Sequence, residues 1–205
     1  GLAIVTEGEV VSQSYLEMTV GVQNSFGVTP VERGEHVFRY SAGDYVGAQY
    51  EVEPDASSAS YPLAAVAIAG GRVAVSGLGR SSLQGDAQFV DVLVRMGCFV
   101  EVAGDDVVLT RPLDQPLQGV TIDMRDMSDL VPTLAVVAAF AQTATTINGV
   151  GFIRKKESDR IGDLAHELRE LGVQVDELAD GLTVHPSKPH GGKVNTHHDH
   201  RLAMS

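Results

Sequence analysis

Three helix-to-strand passages recur along this chain, each turning at a glycine, and their spacing restricts the fold more than any other feature. Tyr15–Val20 leads through Ser25-Phe26 to Gly27, Phe89–Val94 through Arg95-Met96 to Gly97, and Leu164–Leu168 through Glu170-Leu171 to Gly172. These glycines lie 70 and 75 residues apart. A glycine just past the last apolar position stops a helix, because it adopts left-handed backbone without a Cβ clash. A second pair interleaves with the first, since Ser60–Ile68 parallels Val131–Ala139 at an offset of 71. In order, one full unit reads strand, apolar helix, strand, amphipathic helix, strand, strand, or βαβαββ. The closing strands fall at His36–Tyr40, Val107–Thr110 and Leu182–His185, with polar turns such as Ala103-Gly104-Asp105-Asp106 before them. Solenoid repeats run to roughly 20–50 residues, so these longer units read as small folded subdomains.

The helices at 60–68 and 130–140 are apolar on nearly every side, which predicts burial all round. Helices packed inside with sheets outside would satisfy them. The helix predicted from Ile161 to Leu171 is different. Its apolar residues sit at 161, 164, 165, 168 and 171, one face of an amphipathic helix, with Ser158 as the expected N-cap. Lys155-Lys156-Glu157-Ser158-Asp159-Arg160 then crowds opposite charges around a helix N-terminus, where backbone N–H groups already favour an anion. Such a run also suits a solvated capping cluster.

With 15 basic and 27 acidic residues the formal charge is 15 − 27 = −12, which argues against a general nucleic-acid or anionic-membrane surface. A small anionic substrate remains compatible, because Arg154–Arg160 holds four basic and two acidic residues, locally +2. Cys98 is the only cysteine, so no intrachain disulfide forms, and a reducing, cytoplasmic setting is expected. It reads as a small buried residue. The longest apolar run, Leu130–Ala141, is too short for a bilayer span. The chain has no initiator Met and stops as a new helix begins, so it reads as an internal piece of a longer protein.

Six segments stand in order along the chain: Val11-Ser12-Gln13-Ser14-Tyr15, Val52–Tyr61 with its Asp55-Ala56-Ser57-Ser58, Leu83-Gln84-Gly85-Asp86, Asp129–Ala135, Lys156–Arg160 and Asp199-His200-Arg201-Leu202-Ala203-Met204. Together they resemble the 5-enolpyruvylshikimate-3-phosphate (EPSP) synthase family, in the family's order. The resemblance implies an inside-out α/β barrel, in which two domains of three βαβαββ units face each other across the active site. On that reading residues 1–50 end one domain, 51–205 form most of the second, and Ser41–Gly47 is the crossing point. It also implies transfer of the enolpyruvyl group of phosphoenolpyruvate to the 5-hydroxyl of shikimate-3-phosphate. These small-molecule substrates need no cofactor and no metal, and the full-length enzyme is expected to be monomeric.

Site residues follow from the same resemblance. Asp129 matches the aspartate beside the shikimate hydroxyl, as general base and anchor, and Glu157 matches the glutamate that exchanges protons at the methylene carbon. Arg160 and Arg201 match the arginines on phosphoenolpyruvate, and forked guanidinium groups suit its carboxylate and phosphate. Lys156, Ser12 and Tyr15 match contacts to shikimate-3-phosphate. Phe152 stands where some members carry a polar contact. The Asp55–Ser58 and Gln84–Asp86 motifs have no assigned ligand role, and capping and turns suffice for them. The family's first lysine motif, glycine-rich loop, Ser-Ser-Gln motif and late lysine fall outside this stretch.

Three other readings compete. A UDP-amino-sugar enolpyruvyl transferase would want a reactive cysteine loop. An RNA-binding or RNA-end-cyclase module on related units conflicts with the acidic balance, and a folded but inert piece is the third. His197-His198-Asp199-His200 suggests metal, but four consecutive residues of an extended segment cannot converge on one ion.

Overall fold

The computed structural model describes residues 1–205 apart from positions 35 and 80. The chain opens with strand β1 (Leu2–Val5), helix α1 (Gln13–Ser25), β2 (Glu32–Arg33) and β3 (Val37–Tyr40). After a stretch without helix or strand come α2 (Ala56–Ala69), β4 (Gly71–Val75), α3 (Phe89–Arg95), β5 (Phe99–Ala103) and β6 (Asp106–Arg111). The last set is β7 (Thr121–Asp123), α4 (Val131–Ala138), β8 (Thr145–Asn148), α5 (Gly162–Glu170), β9 (Val175–Leu178), β10 (Gly181–Val184) and α6 (His200–Met204).

The repeat read from the glycines is a repeat of topology. Each sheet places the strand before its amphipathic helix next to the last strand of the unit, with the strand after the helix outermost. The orders are β1-β3-β2, β4-β6-β5 and β8-β10-β9, all antiparallel. In the third unit β7 adds to β8 in parallel, pairing Ile122 with Ile147. A parallel neighbour needs a crossover, and α4 supplies it. Gly27, Gly97 and Gly172 adopt φ of 80°, 108° and 83°, which a side chain would resist.

The sheets are separate and close into no barrel among the described residues. Helices α2 and α4 pack against each other inside, where Ser60 Oγ lies 3.4 Å from Thr133 Oγ1. Outer positions such as Arg72 and Glu101 face solvent. Burial all round holds for α4, whose Leu134, Ala135 and Val137 are wholly buried. It fails for α2, which keeps an exposed face of Ser58, Pro62, Ala65 and Ala69. These small side chains bring little apolar area into water, so the exposure costs little. Among the described residues a contiguous apolar cluster runs from Ala56 to Val184 and includes none of those before Ala56. Cys98 belongs to it, and burial pushes its thiol up, as suits a packing residue rather than a nucleophile.

Helix α5 begins differently from the sequence expectation. Ser158 does not cap it, because its hydroxyl donates instead to Asp199 at 3.0 Å. Asp159 takes the cap, accepting from the Ile161 and Gly162 N–H groups at 3.1 and 2.9 Å. A carboxylate is the stronger acceptor for these amides and is already held by Arg154.

Candidate functional site

Asp129 is where the separated motifs meet. It lies in the short 3-10 turn Ser128–Leu130 that enters α4, so the most buried helix sets its position. Lys156 donates to Asp129 Oδ1, and Arg160 Nη1 reaches the same oxygen at 2.9 Å. Arg201 Nη2 and the Tyr15 hydroxyl approach Oδ2 at 3.2 and 3.4 Å. Three cations and a phenol from α1, the turn before α5, and α6 therefore share one carboxylate. Burial alone would favour its neutral form, but the Lys156 hydrogen bond and the charges of Lys156, Arg160 and Arg201 outweigh that. They hold Asp129 below the usual aspartate value. Tyr15 moves the other way. Burial, with Asp86 and Asp129 nearby, raises its phenol far above the usual value, so it stays a neutral donor.

Arg160 is a buried cation, only 1% exposed, and needs its charge met. Asp199, itself 1% exposed, accepts from Arg160 Nε at 2.7 Å and Nη2 at 3.2 Å. The same carboxylate accepts from the Arg201 backbone N–H at 2.8 Å and so caps α6. Burial works against its charge, yet Arg160, that N–H and Ser158 hold it below the usual range. Glu157 Oε2 accepts from Arg160 Nη2 at 2.7 Å, while the rest of Glu157 stands half in solvent.

A cavity of about 290 Å³ opens beside Asp129 and is lined by Tyr15, Asp55, Ser57, Asp86 and Arg201 among others. Two of its lining residues carry buried atoms without a hydrogen-bond partner, Asp86 Oδ1 and Arg201 Nε. Burial pushes the Asp86 carboxyl up against the opposing hydrogen bond from Ser57. Asp55 caps α2 by accepting from the Ser57 and Ser58 N–H groups, and Gln84 Oε1 accepts from Ala56 N–H at 2.8 Å. Capping therefore accounts for much of both motifs, as the sequence suggested, but not for their place on the cavity wall.

Of the residues singled out in the sequence, Asp129, Glu157, Tyr15, Lys156, Arg160 and Arg201 form one connected cluster. Ser12 does not join it. It is the N-cap of α1, in left-handed backbone with φ 57°, and its side chain makes no capping bond. Phe152 lies beside the cluster, with Lys156 Nζ 5.9 Å from its ring centre. Asp199, Asp86, Ser57 and Tyr61 were not singled out. Tyr61 accepts from Arg201 Nη1 at 3.4 Å. All four sit inside the motifs already noted, but a buried acidic partner has no signature of its own in sequence. His197 pairs with Glu167 at 2.7 Å, and among the described residues no group of three or more His, Cys, Asp or Glu side chains is arranged to hold a metal ion.

The fold that carries this cluster is shared with structures of enolpyruvyl transferases. An enolpyruvyl transferase from Streptomyces tendae superposes with a TM-score of 0.64 at 25% identity, covering 84% of this chain and 40% of that one. An EPSP synthase structure from Acinetobacter baumannii gives 0.76 at 24% identity, over 98% and 48%. A family model for EPSP synthase (3-phosphoshikimate 1-carboxyvinyltransferase) matches residues 1–205. Curated proteins named 3-phosphoshikimate 1-carboxyvinyltransferase are similar to 47% identity in Nostoc punctiforme and 48% in Methanosphaerula palustris. They cover 97% and 95% of this chain and 46% of each relative. The chain belongs to the EPSP synthase family. It spans about half the length of the curated relatives it matches. No helix among the described residues is long and apolar enough to cross a membrane.

Proposed function

We propose that this chain supplies roughly half of the active site of an enzyme that moves the enolpyruvyl group of phosphoenolpyruvate onto the 5-hydroxyl of shikimate-3-phosphate. The observation that carries the reading is the convergence of Lys156, Arg160 and Arg201 on Asp129 beside an open cavity. Both substrates are multiply anionic, and Lys156 and Arg201, partly exposed on this cluster, are preorganised cations of the kind that bind such groups. Residues 1–50 end one domain and 51–205 form most of the second. The apolar cluster confined to residues 56–184 supports that division.

In the reaction, the substrate hydroxyl oxygen adds to the central carbon of phosphoenolpyruvate while a proton enters at the methylene carbon. The resulting tetrahedral ketal then loses a proton from the new methyl group and expels phosphate. Glu157, half-exposed beside Arg160, is the group that gives and retakes the carbon-bound proton. Arg160 and Arg201 hold the phosphoenolpyruvate, and Lys156, Tyr15 and Ser12 hold shikimate-3-phosphate. Asp129 orients the 5-hydroxyl and takes its proton. A carboxylate held low by three cations is a weak base. An anionic substrate that draws Arg160 and Arg201 toward itself removes part of that stabilisation, so Asp129 becomes more basic as the site fills.

The test is phosphate release from phosphoenolpyruvate and shikimate-3-phosphate by the protein at the full length of its relatives. Release is expected there, lost in Asp129→Ala, and absent from residues 1–205 alone. Turnover that requires a UDP-amino sugar instead would overturn the substrate assignment.

A further inference from the structure

Glu167 has no part in the cluster around Asp129, yet it is a charged side chain only 7% exposed on α5. Both of its oxygens are spent on one distant turn. Oε2 accepts from the Asn195 backbone N–H at 2.9 Å, and Oε1 pairs with His197 Nε2 at 2.7 Å. The Asn195 N–H, and then the His197 bond, hold the Glu167 carboxyl below the usual range. His197 is gripped twice more, by Asp163 at 3.5 Å and through its backbone N–H to Asn195 Oδ1 at 3.1 Å.

The turn so held is unusual. His197 and His198 are consecutive non-glycine residues in left-handed backbone, with φ of 52° and 57°. Side chains disfavour that region, and a surrounding structure must stabilise it. The next residue is Asp199, whose N–H bonds back to Thr196 O at 2.8 Å. Asp199 in turn grips Arg160 and caps the helix carrying Arg201.

We propose that Glu167 and His197 are positioning residues, a clamp that holds the left-handed 195–198 turn and thereby sets Asp199, Arg160 and Arg201 for anion binding. The proposal rests on the reading of Arg160 and Arg201 as the pair that holds the phosphoenolpyruvate. A misplacement of about 1 Å can cost on the order of 100-fold in a preorganised site. Loss of the clamp therefore acts on that anion and leaves the contacts of Lys156 and Tyr15 to the other substrate in place.

The experiment uses the full-length enzyme with Glu167→Ala, Glu167→Gln and His197→Gly. Glu167→Ala should raise KM for phosphoenolpyruvate by about tenfold or more, with KM for shikimate-3-phosphate within about twofold. Glu167→Gln keeps one acceptor, for the Asn195 N–H, and offers its amide N–H to a His197 Nε2 that carries no proton, so it should restore part of the loss. His197→Gly accepts φ near 52° without strain, so a similar KM split there isolates the clamp from backbone cost. Should Glu167→Ala fail to fold, His197→Gly carries the test. A second readout needs no turnover, since peptides spanning 199–204 should exchange amide hydrogens faster in Glu167→Ala and His197→Gly. Unchanged exchange, or equal KM rises for both substrates, overturns the clamp. Absence of transferase activity in the wild type would overturn the proposed function, and the exchange measurement would still judge the clamp.

Discussion

Replacing Glu157 with Gln separates a proton-transfer role from an electrostatic one, because the structure assigns very different sizes to the two. The Glu157 side chain is 48% exposed, and its one strong contact is the 2.7 Å bond from Arg160 Nη2. Exposed ion pairs are worth about 0.2–1 kcal/mol. Arg160 keeps Asp129 and Asp199 when Glu157 is neutralised, so no buried charge is left unmet. The expected stability loss is thus at most about 1 kcal/mol, a fall of only about 2–4 °C in Tm for a domain of this size. Losing an acid–base group at the reacting carbon instead costs on the order of 100-fold in turnover, or about 2.7 kcal/mol of barrier. Tm and kcat are to be measured on the same preparation of full-length enzyme, with shikimate-3-phosphate binding as a control expected to change little. A well-folded Glu157→Gln enzyme with near-normal kcat refutes the catalytic assignment. A large fall in Tm refutes the energetic reasoning.

Arg201→Ala and Arg160→Ala should each weaken phosphoenolpyruvate use in steady-state kinetics, but only Arg160→Ala should also destabilise strongly. It strands the buried Asp199 carboxylate, a loss of about 3–5 kcal/mol by thermal or urea unfolding. Asp199→Asn should lower Tm at neutral pH and the deficit should shrink in acid. The folded value of Asp199 lies below its ordinary 3.8, so its contribution is present above that pH and is lost as pH falls through the folded value. Asp86→Asn should do the opposite, raising Tm at neutral pH. Asp86 is held above 3.8, so its ionisation penalises the fold at neutral pH and the gain should vanish once pH falls below 3.8. Tm measured against pH for both variants checks the signs.

The recurring glycines and the alternation of apolar and amphipathic helices were legible in one dimension, because backbone conformation and helix periodicity are local properties. Gly27, Gly97 and Gly172 announce their left-handed turns through the lack of a Cβ, and the closing strand of each unit begins 9 or 10 residues after its glycine. Family-like motifs likewise brought Asp129, Lys156, Arg160 and Arg201 into one expected site. Packing decided the rest. Whether an apolar helix is covered depends on its neighbours, so α4 is enclosed while α2 keeps the Ser58–Ala69 face open. Between Ser158 and Asp159 the cap goes to Asp159, because the Ser158 hydroxyl is turned to Asp199, 41 residues away in sequence. A carboxylate's partner can lie anywhere in the chain. Asp199 meets Arg160 across 39 residues and Arg201 meets Asp129 across 72, so their shared charge network exists only once the units have packed.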